Sequence, residues 1–216
     1  MVIDGEVRLE HVVDLQGKDG IDRALSLLAV TLEANDAWPL ELVVIGGAAL
    51  NVLDIRIRPT KDVDVLAIAE GRLGNGTTLV KCEELPPSLA SAVATVAEVL
   101  RLEPDWLNAG PAKLLDWGLP SGFESRLSAR EYGSRLTVLL PAREDLICLK
   151  VYAAADLGPG RHTEDLRALK PTRDELIAGV RWARSQDPSE GFASMLTALL
   201  KYFGCELEEG DLACEP

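Results

Sequence analysis

Two aspartates, Asp62 and Asp64, stand two residues apart at the head of the run DVDVLAIA, 62–69. On an extended chain, residues i and i+2 project from the same face. The two carboxylates then lie side by side while Val63 and Val65 point into the core. Like charges that close repel unless a cation sits between them. Magnesium suits such a pair, because it takes one or two carboxylates and completes its shell with substrate phosphates. A D-x-D pair on its own is more often two solvated acids on an edge strand, so its neighbours decide its meaning.

The nearest such neighbour is Gly46-Gly47, at the end of the apolar run ELVVI, 41–45, and before the helix-forming stretch AALNVL, 48–53. Glycine lets a backbone approach a ligand closely. A helix N-terminus offers free N–H groups and partial positive charge to a phosphate. The alternative is a plain strand-to-helix turn. The G-x-G-x-x-G dinucleotide fingerprint is excluded, since positions 48 and 51 are Ala and Asn, and no G-x-x-x-x-G-K-[ST] occurs. Between the glycines and the aspartates lie Arg56, Arg58 and Lys61, a local basic cluster that suits a nucleotide or one face of an RNA, or else a solvated loop. Lys61 is taken with Gly46 and Gly47 as nucleotide-binding.

The elements that must position these residues read as follows. IDRALSLLAVTLEA, 21–34, has the apolar spacing of an amphipathic helix, broken by Trp38-Pro39. Residues 41–45 read as a buried strand, 48–53 as a helix and 62–69 as a strand. TTLVKC, 77–82, pairs back on 62–69 as a hairpin across a Gly-rich turn from Gly71 to Gly76. Pro86-Pro87 opens a long helix, where proline's missing N–H has no intrahelical partner anyway. Residues 105–108 are short and extended, and Trp106 within them is expected to pack in the core. FESRLSA, 123–129, and RLTVLL, 135–140, are strand candidates. From Pro141 onward the pattern is helical, ending in an acidic tail whose last 12 residues hold five acids and no base. The order predicts an α+β fold: a core over 1–140 with a mixed β-sheet and flanking helices, and a helical C-terminal part over 141–216 packed on it as one continuous domain.

Composition narrows the function. A net charge of −13 is unsuited to wrapping duplex DNA by general phosphate neutralisation. No apolar run is long enough for a membrane span, and the mixed, acidic start lacks the features of a signal peptide, so a cytoplasmic protein is expected. The four cysteines, Cys82, Cys148, Cys205 and Cys214, form no C-x-x-C, and only His11 and His162 could accompany them. That argues against zinc and for reduced thiols, with Cys148 in the core.

Strand, Gly-Gly, helix, turn and a strand opening Asp-x-Asp is more specific in combination than in parts. The stretch VVIGGAALNVLDIRIRPTKDVDVL resembles the nucleotidyltransferase superfamily, and within it the bacterial group of AbiEii-type toxins and their uncharacterised relatives. Downstream, Lys150 in EDLICLKVYAAA and the run Arg161-His162-Thr163-Glu164-Asp165-Leu166 extend the likeness to roughly residues 40–170. The resemblance implies a nucleotidyltransferase fold and a magnesium-dependent enzyme transferring a nucleoside monophosphate from a nucleoside triphosphate to a hydroxyl of RNA, protein or a small molecule. It also implies a toxin role with an antitoxin protein as partner. Asp62 and Asp64 would be catalytic and metal-binding, Lys150 would meet nucleotide phosphate, and Asp165 nearby would belong to the same nucleotide-binding set. Active relatives carry a third carboxylate on a later strand. Asp105 is the candidate for it, with Asn108 the alternative occupant, which would remove one negative charge. The alternative to an enzyme is a catalytically inactive nucleotide-binding or protein-interaction module on the same fold. Read from the residues alone, Lys150 could equally snorkel from the edge of the core, and His162 reads as a surface or capping residue.

Overall fold

A computed structural model of the chain describes residues 13–72 and 75–205. His11, Cys214, the acidic tail beyond Cys205 and residues 73–74 of the expected Gly-rich turn lie outside them. The apolar stripe of the first amphipathic segment folds into α1, Gly17–Ala34, and buries Ile21, Ala24, Leu25, Leu28 and Leu32. β1, Leu40–Ile45, runs directly into α2, Gly46–Val52. β2, Val63–Arg72, and β3, Asn75–Val80, pair antiparallel as the predicted hairpin, with Ile68 opposite Val80. α3, Pro87–Leu100, begins with proline in its first turn and stops at Arg101 in the left-handed conformation. Then come β4, Leu107–Asn108, a 3-10 turn over Gly110–Lys113, and the single-turn α4, Leu114–Trp117.

One expected strand is different. Residues 123–129 do not extend as a unit: Phe123–Arg126 is a 3-10 turn, and β5 begins only at Ser128 and runs to Gly133. Gly122, at φ +76°, turns the chain so that Phe123 is fully buried. Arg126 then reaches Asp145, with contacts of 2.5 and 3.1 Å. Burial of one aromatic ring and one ion pair outweighs local strand propensity here. β6, Leu136–Leu140, is followed by four helices, α5, Arg143–Leu157, α6, Arg161–Leu169, α7, Arg173–Gln186, and α8, Glu190–Tyr202.

The sheet is mixed, with order β3-β2-β1-β6-β5 and β4 beside the first residues of β2. β1 is antiparallel to β2 and parallel to β6, and β4 is parallel to β2. One large apolar cluster joins Leu28 of α1, Val44 of β1, Val138 of β6, Val151 of α5 and Leu196 of α8, so the C-terminal helices pack on the same core as the sheet. A smaller cluster, with Val43, Ile45, Leu66, Phe123 and Leu149, lies apart from it. Each fully buried aliphatic or aromatic side chain contributes roughly 1.5–3 kcal/mol. Cys148 is in the core as expected. Among the described residues no helix is long and apolar enough to cross a membrane.

Candidate functional site

The β1–β2 ladder carries an irregularity. Val43 pairs with Ala67 but Val44 pairs with Val65, leaving Leu66 as the extra residue on β2. Such bulges re-aim side chains. Val63 and Val65 join the large core, whereas Ala67 and Ala69, beyond the bulge, join the smaller one. Asp64 therefore faces away from the large core, and its register partner is Ile45, the residue before Gly46.

Gly46 is where close approach is real. It sits at φ +72°, and a Cβ built on it would overlap Oδ2 of Asp64. The Asp64 carboxylate thus rests on bare backbone. Gly47 has a different role. A Cβ there would come within 2.8 Å of an Arg58 guanidinium nitrogen and 3.1 Å of Thr60 Oγ1. Its missing side chain makes room for Arg58 rather than opening a cradle. Asn51, fully buried, holds this turn together: its Nδ2 donates to the Gly47 carbonyl at 2.9 Å, and its Oδ1 accepts from the Arg58 backbone N–H at 2.9 Å. The only hint of Asn51 in the sequence is a polar residue among apolar neighbours on a short helix.

Asp62 lies immediately before β2, and Thr60 Oγ1 donates to its backbone carbonyl at 3.3 Å. Burial, then the neighbouring Asp62 charge, pushes the Asp64 carboxyl up to about 6, against the opposing pull of Lys150 and Arg161. No side-chain hydrogen bond or ion pair reaches either carboxylate among the described residues. Two adjacent, unneutralised carboxylates beside a glycine fit a hard dication, and the pair matches magnesium's preference for oxygen. No cluster of three or more potential ligand side chains exists among the described residues.

Behind the carboxylates lies a buried charge network. Asp165, on α6, is fully buried and accepts from Lys150 Nζ at 2.9 Å, from Arg58 at 2.9 and 3.0 Å, and from Arg56 at 2.8 Å. Burial opposes its charge, but the Arg58 hydrogen bond and then Lys150 win and hold it down to about 2. Asp165 is therefore a saturated anchor for Lys150, Arg58 and Arg56, in place of the nucleotide-binding residue the sequence suggests. Lys150 is 4% exposed, and burial lowers its pKa although Asp165 raises it. Of the basic cluster read from the sequence, Arg56 and Arg58 are drawn into this network, while Lys61 is exposed. His162 Nε2 accepts from Arg161 Nε at 3.3 Å, so a neutral ring carries its proton on Nδ1, which is buried without a partner. Burial, then Lys150 and Arg161, lowers the imidazole to about 4, so it is neutral near pH 7.

The later strand brings Asn108, not Asp105, into register with Asp64. Asp105 is an exposed turn residue before β4. Asn108 Oδ1 accepts from the Gly110 N–H at 2.9 Å, and its Nδ2 donates to the Asp105 carbonyl at 3.4 Å. Trp106 is fully buried and donates from Nε1 to the Val93 carbonyl at 3.0 Å, as expected for a packing residue.

Gly46, Asp64, Lys150, Arg161 and His162 open onto a cleft of about 610 Å³. One section of its wall is polar, with Gly46, Asp64, Lys150, Arg161 and His162. Another is apolar and aromatic, with Leu114, Leu149, Trp117, Tyr152 and Trp182. Gly47, Lys61, Asp62, Asp105, Asn108 and Asp165 do not line it, so of the two aspartates only Asp64 opens onto the cleft. The arrangement can hold a cation and the anionic groups that come with it, next to a surface for a flat or apolar group.

A family model described as "Nucleotidyltransferase of unknown function (DUF6036)" matches residues 23–166. A crystal structure of an antigenic nucleotidyltransferase-like protein from Paracoccidioides brasiliensis aligns with a TM-score of 0.45 and 13% sequence identity, over 93% of this chain and 99% of that one. No curated protein matches the chain.

Proposed function

The chain belongs to the DUF6036 family of nucleotidyltransferases of unknown function, and on that premise we propose that it binds a nucleoside triphosphate with magnesium and transfers the nucleoside monophosphate to a hydroxyl acceptor on RNA, protein or a small molecule. The observation that carries this reading is the Asp64 carboxylate, seated on Gly46, crowded by Asp62 and without a partner of its own in the cleft. Asp62 and Asp64 are the residues that would hold the metal, with the remaining ligands drawn from phosphates and water. Bound magnesium would neutralise charge on the triphosphate and polarise the phosphate under attack. Lys150 and Arg161 supply positive charge to the same section of wall, and Asp165 fixes Lys150 so that its ammonium keeps one position. His162 presents a neutral imidazole, which suits hydrogen bonding rather than charge pairing. The likeness of residues 43–66 to AbiEii-type toxins supports a toxin role with an antitoxin partner, tested by growth arrest on expression and its relief by an adjacent gene product.

The test of the chemistry is a screen of four labelled nucleoside triphosphates against total RNA and protein, with and without magnesium. Transfer of label by the wild type, lost in Asp62→Asn with Asp64→Asn, is the expected result. Label transferred equally by the double variant refutes the site. A second reading, a binding module without transfer, is favoured by one observation: Asn108 occupies the position in register with Asp64 and is tied into a local turn. Under that reading the wild type binds triphosphate without transferring it, and Asn108→Asp restores transfer.

A further inference from the structure

The aromatic residues of the cleft are not used by the proposed metal and phosphate chemistry. Tyr152 is at its centre, with ring centroids 5.6 Å from Trp117, 6.3 Å from Trp182 and 5.2 Å from Phe192. Phe192 is buried, whereas Trp117, on the cleft wall, remains 50% exposed. A large indole held by a neighbouring ring yet half uncovered is a platform: burying its free surface under a flat ligand gains apolar area and stacking. The cleft is also lined by Lys113, which immediately precedes the helix of Trp117, and by Asp156, whose charge acts on Tyr152, a donor and an acceptor. That combination fits a heteroaromatic ring with polar edges better than an aliphatic chain. The volume falls within the ~300–1,000 Å³ of small-molecule sites, and the cleft is continuous with Gly46 and Asp64.

We infer that Trp117, backed by Tyr152, is the stacking platform for the nucleobase of the bound nucleotide, so that the cleft recognises the whole nucleoside triphosphate and not its phosphates alone. This rests on the reading of Asp62 and Asp64 as the phosphate and metal end. Stacking tolerates any base, because every base has a π-face, and each stacked base is worth about 5- to 150-fold in affinity. The four triphosphates therefore gain similarly from Trp117.

The experiment titrates the wild-type protein, Trp117→Ala and Trp117→Phe by calorimetry with magnesium tripolyphosphate and with each of the four magnesium nucleoside triphosphates, melting each protein in parallel. In the wild type every nucleoside triphosphate binds at least about five-fold more tightly than tripolyphosphate. Trp117→Ala removes most of that margin and leaves tripolyphosphate affinity unchanged, and Trp117→Phe keeps the margin. Should Trp117→Ala melt too low to titrate, Trp117→Leu retains the apolar bulk without the ring and makes the same distinction. Equal affinities for tripolyphosphate and nucleoside triphosphates, or a parallel loss of both in the variant, overturns the inference and assigns the aromatic wall to the acceptor or to packing. Tripolyphosphate binding that ignores magnesium and the Asp62 and Asp64 substitutions refutes the carboxylate reading instead, while a Trp117-dependent nucleoside margin still supports the platform.

Discussion

Replacing Asp64 by asparagine should stabilise the ligand-free protein, and the size of the effect follows from its surroundings. Burial and the Asp62 charge raise this carboxyl from 3.8 to about 6. A group whose folded pKa lies above its unfolded value contributes stability below the unfolded pKa, and that contribution is lost as pH rises through the folded one. Asp64 ionised at neutral pH is therefore a burden on the fold. Two units at about 1.4 kcal/mol each give an upper bound near 3 kcal/mol at about pH 7.5, falling to about 1 kcal/mol at about pH 4.5 and vanishing below the unfolded pKa. Asparagine keeps the shape on Gly46 and removes the charge. For a chain of this size about 3 kcal/mol corresponds to a rise in Tm of roughly 6–12 °C. Thermal melts of wild type and Asp64→Asn in chelator, at both pH values, measure it directly. Magnesium with a triphosphate at about a thousand times its Kd should reverse the order, since it then adds about 4.1 kcal/mol to a protein that still binds it. An Asp64→Asn protein that melts at or below the wild-type temperature in chelator at the higher pH refutes the reasoning, because the carboxylate would then carry no electrostatic burden for a cation to relieve.

Asp165→Asn leaves Lys150, Arg56 and Arg58 facing a neutral amide in a buried site, and should cost roughly 3–5 kcal/mol in urea unfolding; Lys150→Met, which leaves Asp165 with two arginines, should cost clearly less, and the reverse order would contradict the network. Because Asp165 titrates at about 2 instead of 3.8, its contribution is present above about pH 4 and lost as pH falls toward 2; the stability gap between wild type and Asp165→Asn should narrow over that window. Gly46→Ala forces a Cβ into the Asp64 carboxylate at a left-handed φ, and should destabilise by roughly 1–3 kcal/mol and abolish magnesium-dependent nucleotide binding. Binding unchanged in a folded Gly46→Ala would separate Gly46 from the site. Trp106→Ala, emptying a fully buried indole pocket, should cost about 3–5 kcal/mol while nucleotide affinity in the folded protein stays as it was.

The local pieces of the site were legible in the sequence because local rules make them. A β-branched run ending in Gly46-Gly47, a helix-forming stretch and an Asp-x-Asp strand each follow from periodicity and turn chemistry over a few residues, and β1, α2 and β2 form there, although α2 already takes in Gly46-Gly47 and β2 begins at Val63, one residue after Asp62. The same holds for α3 behind Pro86-Pro87 and for the helical run after Pro141. What only the tertiary structure decided is which of these residues face one another. Arg58 and Asp165 are 107 residues apart in the chain, and their bond depends on α6, packed on α5, meeting the segment between α2 and β2. The role of Gly47 as space for Arg58 follows from that docking, and so does the exclusion of Asp165 from the cleft. A single extra residue in β2, Leu66, sets the face that Asp64 presents. The two-residue pairing of β4 with β2, and not the count of acids in PDWLN, puts Asn108 beside Asp64 and leaves Asp105 in solvent. The aromatic wall joins α4, α5 and α7, elements whose separate patterns say only that each has an apolar face. Periodicity specifies that a face is buried. The partner that buries it is chosen by packing across the whole chain, where contacts distant in sequence are settled together.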